Sequence, residues 1–329
     1  MSKTTRLASA IGFVVVPVAL ALAAAAIGAF PIPLSQVLAA LVGKADPQMA
    51  TVLYTVRLPR IGAAILVGAA LAGAGAVYQA IFHNPLSSPY TLGVANGAGF
   101  GAGLAIIFGA SSILIQASAV GWAIVSVGLT FLLANASRSG PVTLILSGML
   151  VGAFFASLVS FLKFVADPYE KLPQIVFWLM GSISAISTAQ LLSILPALAV
   201  AGVVIAAFLW RLNAISFDDR FARSIGINVT TERAVVLFAA SVLAAVVISV
   251  AGIVGWVGVV VPHFARMIVG NDMRKVFAAS LSMRATMLLG IDLLARTLTS
   301  GELPLGVLTG IVGVPIFLFL IVRGRVSFE

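Results

Sequence analysis

The chain is 329 residues long, 61% hydrophobic and only 9% charged, with a mean hydropathy of +1.17. A soluble fold needs about a quarter of its residues charged to cover its surface, so a soluble reading is excluded and an integral membrane protein built from transmembrane helices is implied. The net charge of +9 belongs with the basic cytoplasmic loops of such proteins rather than with nucleic acid, and the lack of cysteine excludes disulfides, thiolate nucleophiles and Cys-based zinc sites.

In chain order, apolar runs bounded by charge, Pro and polar clusters predict about ten spans: 11–30, 61–82, 92–108, 113–133, 142–164, 189–210, 233–254, 255–268, 279–298 and 306–322. Lys3 and Arg6 ahead of the first run resemble the start of a signal peptide. The rest of the chain is equally apolar, so the run is read as an uncleaved first span. The eighth run is too short to cross a ~30 Å hydrocarbon core unaided and is expected to be partly re-entrant. The whole of 1–329 reads as a single polytopic domain with no linker.

Basic residues set the orientation. With the amino terminus inside, the outer set is Lys44, Arg57, Arg60, Lys163, Lys171 and Arg296. The other 13 of the 19 Lys and Arg, including Arg138, Arg211, Arg220, Arg223, Arg233, Arg266, Arg274, Lys275, Arg323 and Arg325, fall inside. Both termini are therefore expected to be cytoplasmic. Gly68, Ala72, Gly73, Gly75 and Ala76 crowd the second run, and Gly97, Gly99, Gly101 and Gly103 the third. Lipid supplies little hydrophobic force between helices, so small residues are expected to mark close backbone packing.

Chemistry-bearing patterns are few. His83 and His263 form no H-E-x-x-H pair, and there is no G-x-x-x-x-G-K-[ST] loop. Energy for transport must then come from an ion gradient or from another subunit. Asp292 stands four residues before Arg296, which allows a salt bridge on one helix face or a role at an external docking face. No acidic residues in other spans suggest a proton relay, which counts against a gradient-driven secondary transporter. An intramembrane enzyme would need a nucleophile or metal constellation that the sequence lacks. Residues 211–233 form the largest hydrophilic island. Their apolar pattern at Ile215, Phe217, Phe221, Ala222 and Ile225, before Gly226, suits one or two short amphipathic helices, docking a partner or lying in the interface. Arg57 and Arg60 precede the second span, where they either anchor a helix end by snorkelling or meet an acidic partner.

Five ordered stretches then carry a family resemblance: RLPRIGAAILVGAALAGAGAVYQAIFHNPLSSPYTLGVANGAGFGA, FWLMGSIS, FARSIGINV, GIVGWVGVVVPHFARMIVGNDMRK and IDLLARTLTSGELPLGVLTGIVGVPIFLFLI. From about residue 52 to 323 the chain resembles the FecCD/BtuC type of permease, the membrane subunit of binding-protein-dependent ABC importers for ferric siderophores, haem and cobalamin. The resemblance implies an all-α fold of ten spans and a homodimer with the translocation path on its two-fold axis. It implies two cytoplasmic ATP-binding cassette subunits, which would carry the ATP and Mg, and a periplasmic or extracellular substrate-binding protein. This chain would be no enzyme and hold no cofactor or metal of its own, and it would sit in the inner (cytoplasmic) membrane. On the matching positions, Arg57, Arg60 and Arg296 would dock the binding protein, and Asn84, Leu86 and Thr143 would form the cytoplasmic gate. Phe217, Arg220, Ala222, Arg223 and Gly226 would belong to paired coupling helices against the ATPase. Molybdate and tungstate importers share the fold, so the cargo stays open between an iron chelate and an oxyanion. Scarce His and absent Cys speak against a naked cation. Arg284, where a small apolar residue is expected at a helix start, is read as snorkelling to the inner surface. The charges Lys163, Asp167, Glu170 and Lys171 acquire no role.

Overall fold

Lipid offers no partner for a backbone N–H or C=O, so apolar segments must close their hydrogen bonds within themselves. The computed structural model obeys this rule throughout residues 3–28, 30–136, 141–299 and 301–322, the residues it describes; Arg138, Arg323 and Arg325 lie outside them. The described residues form only helices: α1 Lys3–Ala26, α2 Leu34–Leu41, α3 Pro47–Val52, α4 Leu58–Phe82, α5 Val94–Ile107, α6 Ser112–Ala136, α7 Pro141–Val165, α8 Lys171–Met180, α9 Thr188–Ile215, α10 Asp219–Ser224, α11 Val229–Ala251, α12 Val257–Val269, α13 Met273–Ala295 and α14 Leu305–Val322. A π turn over Leu53–Arg57 joins α3 to α4 without a break.

Seven helical stretches are long and apolar enough to cross a bilayer, and the shorter apolar segments Val14–Ala26, Val94–Ile107 and Val257–Val269 complete the expected ten. The path alternates between two ends of the bundle. One end carries Arg57, Arg60 and Arg296, and the other carries His83 and α10. The predicted runs fall on the observed helices with shifted limits. The first helix stops at Ala26 rather than at residue 30, and α13 starts at Met273, six residues before the predicted 279. α2, α3 and α8 were not anticipated as elements.

α4 is the axis of the fold. Nearly all its residues are buried, and α9, α11, α12 and α13 pack around it. Its small side chains permit this. A Cβ on Gly75 would come within 1.9 Å of the Gly258 carbonyl oxygen, and Gly68 lies against the backbone of Arg284 at 3.0 Å. The α5–α6 contact works the same way, since a Cβ on Gly101 would meet the Ser118 oxygen at 2.4 Å. The glycine-rich runs are thus packing faces, as the composition implied.

α5 and α12 are short because each enters the bundle through an irregular segment. Thirteen residues give α12 about 20 Å of helix, too little to cross alone. The backbone of these lead-ins is satisfied by neighbouring groups. Gln79 donates to the carbonyls of Pro85 (2.8 Å) and Val259 (2.9 Å), and the Tyr90 hydroxyl to that of Val254 (2.6 Å). Ser126 donates to Gly93 O, Ser182 N to Ala251 O, and Leu305 N to Gly181 O. Gly252 turns the chain out of α11 at φ +66°, so close to Trp178 that a Cβ would lie 2.2 Å from its carbonyl oxygen. Each group left unpaired here would cost several kcal/mol in lipid.

Replacing Gly75 by Ala forces backbones apart and is expected to cost at least about 1–3 kcal/mol. Gly128→Ala, on an exposed face of α6 with open space around it, is expected to stay within about 0.5 kcal/mol. Unfolding of the two variants in detergent micelles, compared with the parent, checks the difference; equal effects would refute the packing role.

Candidate functional site

Three groups of side chains sit where the bundle meets its surroundings. At the first end, Arg57, Arg60, Asp292, Arg296 and Glu302 converge. The π turn and the start of α4 position the first two residues, and the end of α13 supplies Asp292 and Arg296. Arg60 Nε donates to Asp292 Oδ1 at 2.8 Å, and its Nη1 to Glu302 Oε1 at 2.6 Å. Arg296 Nε lies 3.5 Å from Asp292 Oδ2. The pair within α13 therefore exists, but the closer bond of Asp292 crosses to α4 from a residue 232 positions away in sequence. Arg57 donates to the carbonyl oxygens of Ala25 and Phe30 and so pins the end of α1.

Three guanidinium groups face two carboxylates, and four of these five side chains are nearly closed off from solvent. Only Glu302 is substantially exposed, at 45%. The sequence reading puts these arginines at the outer side; their side chains are buried within the bundle, where they tie α1, α4, α13 and the loop before α14 together.

At the other end the chain leaves α4 at His83, a non-glycine residue at φ +50°. His83 Nε2 bonds the Ser216 carbonyl oxygen at 3.0 Å, and Asn84 Oδ1 accepts from Leu86 N at 2.9 Å, which shapes the tight turn holding both Asn84 and Leu86. Leu86 is exposed. Thr143 lies half-buried in the first turn of α7, whose Gly148 rests on the Thr91 carbonyl of the segment following that turn.

The hydrophilic island forms one short helix, α10, and then the first turn of α11. Asp218 caps α10 by accepting from the N–H groups of Arg220 and Phe221. The Phe221 and Arg220 N–H groups hold its carboxyl below the usual carboxylate range, so the cap is charged at neutral pH and lost only in acid. Ala222 is fully buried, seated with Ala214, Ile215, Ile227 and Val229 in a small apolar cluster. Phe217, Phe221 and Ile225 point the other way and are exposed, the two rings stacked edge to face at 5.7 Å. Arg220 and Arg223 are also exposed, and Gly226 ends the element at φ +85°. Arg233 ties α11 back to α10 through Asp219 at 2.6 Å.

A further residue departs from its expected place. Arg284 does not snorkel: it is midway along α13, 0% exposed, with Nη1 on the Ala69 carbonyl at 3.2 Å. The residue lies too far into the helix for its side chain to reach an end.

The model of the FecCD transport family matches residues 15–323. The molybdate import system permease protein MolB of Haemophilus influenzae is 37% identical over 279 residues, covering 84% of this chain and 83% of that protein. An iron chelatin transport system permease protein of Helicobacter pylori is likewise 37% identical over 279 residues, with 84% of each chain covered. A solved inward-facing ABC transporter of metal-chelate type superimposes with a TM-score of 0.88 at 35% identity, covering 95% of this chain and 98% of that one.

Asp292→Asn leaves the buried Arg60 and Arg296 without their shared counter-charge, and is expected to cost about 3–5 kcal/mol of stability. Glu302→Gln removes a half-exposed partner and should cost no more than about 1 kcal/mol. Denaturation in detergent tests both; similar losses would overturn the ranking of the two carboxylates.

Proposed function

Because the chain belongs to the FecCD transport family and is a permease subunit of an ABC importer, we propose that two copies of it enclose the translocation path and are driven by two ATP-binding cassette subunits seated at the α10 end. The observation that carries this reading is the α10 surface. Phe221 on α10, with Phe217 just before it and Ile225 at its C-cap, is exposed, while Ala222 on the opposite side is buried. An exposed apolar patch rimmed by Arg220 and Arg223 is what a docking surface for another protein requires. A rigid-body push on α10 would pass through Asp219–Arg233 into α11 and through Ile215 into α9. Asn84, Leu86 and Thr143 are proposed to form the gate at the same end, and the membrane is proposed to be the cytoplasmic one with both termini inside.

The relatives named for molybdate and for iron chelatin divide the cargo between an oxyanion and a metal chelate. We take an iron chelate such as a ferric siderophore or haem as the leading cargo, with cobalamin as a related one and molybdate or tungstate as the alternative. Among the described residues no group of three or more His, Asp or Glu could hold a metal ion. The path is then proposed to guide a cargo whose metal is already enclosed.

The substrate-binding protein is proposed to dock at the arginine end. Arg57, Arg60 and Arg296 are all engaged within the protomer, so an acidic partner would reach them by displacing the exposed Glu302 carboxylate from Arg60. On this reading Glu302→Gln should tighten binding-protein affinity severalfold, measured by titration of the reconstituted complex; an unchanged affinity would refute docking through Arg60.

Proteoliposomes holding this permease and its ATPase provide the functional test, with haem, a ferric siderophore, cobalamin and molybdate offered outside. Uptake of one cargo that needs both internal ATP and the binding protein is expected; uptake without ATP would overturn the importer reading. Gly226→Val strains a left-handed position by about 1–3 kcal/mol. It should lower transport per ATP hydrolysed by about tenfold, whereas normal coupling would remove α10 from the drive train.

A further inference from the structure

Among the described residues three arginines within the bundle have no carboxylate bonded to them: Arg57, held by two carbonyls at the arginine end, and Arg266 and Arg284 beside α4. Arg284 is fully enclosed and makes one hydrogen bond, to the Ala69 carbonyl, while its Nε and Nη2 have no acceptor. Arg266, on α12, donates Nη1 to the Gln79 side-chain oxygen and Nη2 to the Ala76 carbonyl. The carbonyls they bond, Ala69 and Ala76, stand two turns, about 10 Å, apart along α4.

Every Asp and Glu among the described residues is occupied elsewhere. Asp46, Asp167 and Asp218 cap turns or helices. Asp219 pairs with Arg233 and Glu232 with Arg211. Asp272 caps α13, Glu170 pairs with Lys171, and Asp292 and Glu302 hold Arg60. A partner subunit cannot supply the missing charge to Arg284, because none of its surface is accessible. An enclosed cation with no carboxylate bonded to it favours negative charge elsewhere in its neighbourhood.

The structure provides an entrance. A cavity of about 370 Å³ opens at the α10 end, lined by Gln79, His83, Asn84, His263, Arg266 and Asn271 together with Ser216 and apolar residues that include two methionines. Its charged lining is cationic; no Asp or Glu contributes to it. The volume suits a chloride or a tetrahedral oxyanion and its water, and Arg266 bears on it directly. The amides of Asn84 and Asn271 are further donors on the wall.

We propose that this cavity is a binding site for a small inorganic anion, with Arg266 as its main ligand and the enclosed Arg284 as the charge that favours occupancy. A phosphate group on a lipid would satisfy the same donors, but the cavity lies beneath the end of α4 beside His83 and Ser216 and suits a soluble ion better than a lipid-tethered one. The site shares Asn84 with the gate proposed above and does not rest on the choice of cargo.

The test uses the full chain, exchanged into gluconate buffer and placed in neutral-lipid nanodiscs, with sulfate, phosphate and chloride as probes. Equilibrium dialysis of labelled sulfate should show one saturable site, competed by phosphate or chloride. Arg266→Gln should weaken it by about tenfold or more. Arg284→Met replaces a buried cation by an apolar chain of similar volume, a change that bundles tolerate. It should fold, bind the anion more weakly, and lose the rise in melting temperature that the anion gives the parent. Absence of saturable binding by all three anions to the parent would overturn the proposal, and so would unchanged affinity in Arg266→Gln. Stabilisation that follows anionic lipid alone, with no response to soluble anions, would overturn the assignment to a free ion.

Discussion

The distance between α4 and its neighbours is the constraint on which the bundle depends. Apolar side chains gain little by leaving lipid for one another, so cohesion must come from close van der Waals contact and from hydrogen bonds that only close approach permits. Gly75 against the Gly258 carbonyl, and Gly68 against the backbone of Arg284, bring α12 and α13 onto α4 at backbone range. At that separation Gln79 can serve the carbonyls of Pro85 and Val259 at once, and still accept from Arg266. One amide thus links the turn after α4 to the first turn of α12. A larger residue at Gly75 would remove these bonds along with the packing.

The two short crossing helices follow from this closeness. α5 and α12 begin inside the bundle because the segments before them are sheltered by α4, α6 and α11, which supply the partners that lipid cannot. The Tyr90 hydroxyl on Val254 and the Ser126 hydroxyl on Gly93 are examples. Irregular backbone in a membrane protein is tolerated where protein surrounds it. Here it also gives α12 and the segment before α5 ends that lie next to each other, with Gly258 within 4.0 Å of Pro89 when a Cβ is placed on it.

What the sequence made legible was the information carried by short windows. Apolar runs located the crossing segments, glycine runs located the packing faces, and the island at 211–233 stood out by its charge. Gly226 was readable as a break because its left-handed φ favours glycine. Contacts between distant residues were not readable. Asp292 has Arg296 four residues away, and helical spacing made that pair the natural reading, yet its shortest bond reaches Arg60 on another helix. Arg57 and Arg60 look like outer-surface cations for the same reason: nothing near them in sequence shows the carbonyls of Ala25 and Phe30, or Asp292, waiting across the bundle. Arg284 was misplaced because the predicted helix began at residue 279, whereas α13 begins at Met273 and carries the side chain to its middle. α8 was hidden because its ten residues, though mostly apolar, are too few to read as a span and follow directly on a charged segment.

The two ends of the bundle are held by different physics, and this difference bears on how such a molecule can move. At the arginine end the cohesion is ionic and enclosed, spread over α1, α4 and α13 through Arg57, Arg60, Asp292 and Arg296. Separating those helices would expose unpaired charge to a poorly polar surrounding, so they should travel as one body. At the α10 end the connections are a small apolar seat around Ala222, a partly buried Asp219–Arg233 pair, an Arg211–Glu232 pair, bonds from Asn213 to the start of α13, and a bond from His83 to Ser216. The ion pairs among these lie nearer to water than those at the arginine end and would re-form at modest cost, while the apolar seat keeps α10 joined to α9 and α11. A force applied at α10 would therefore find the compliant part of the structure near the point of application, while the charge-locked end remains a fixed frame against which that part can turn.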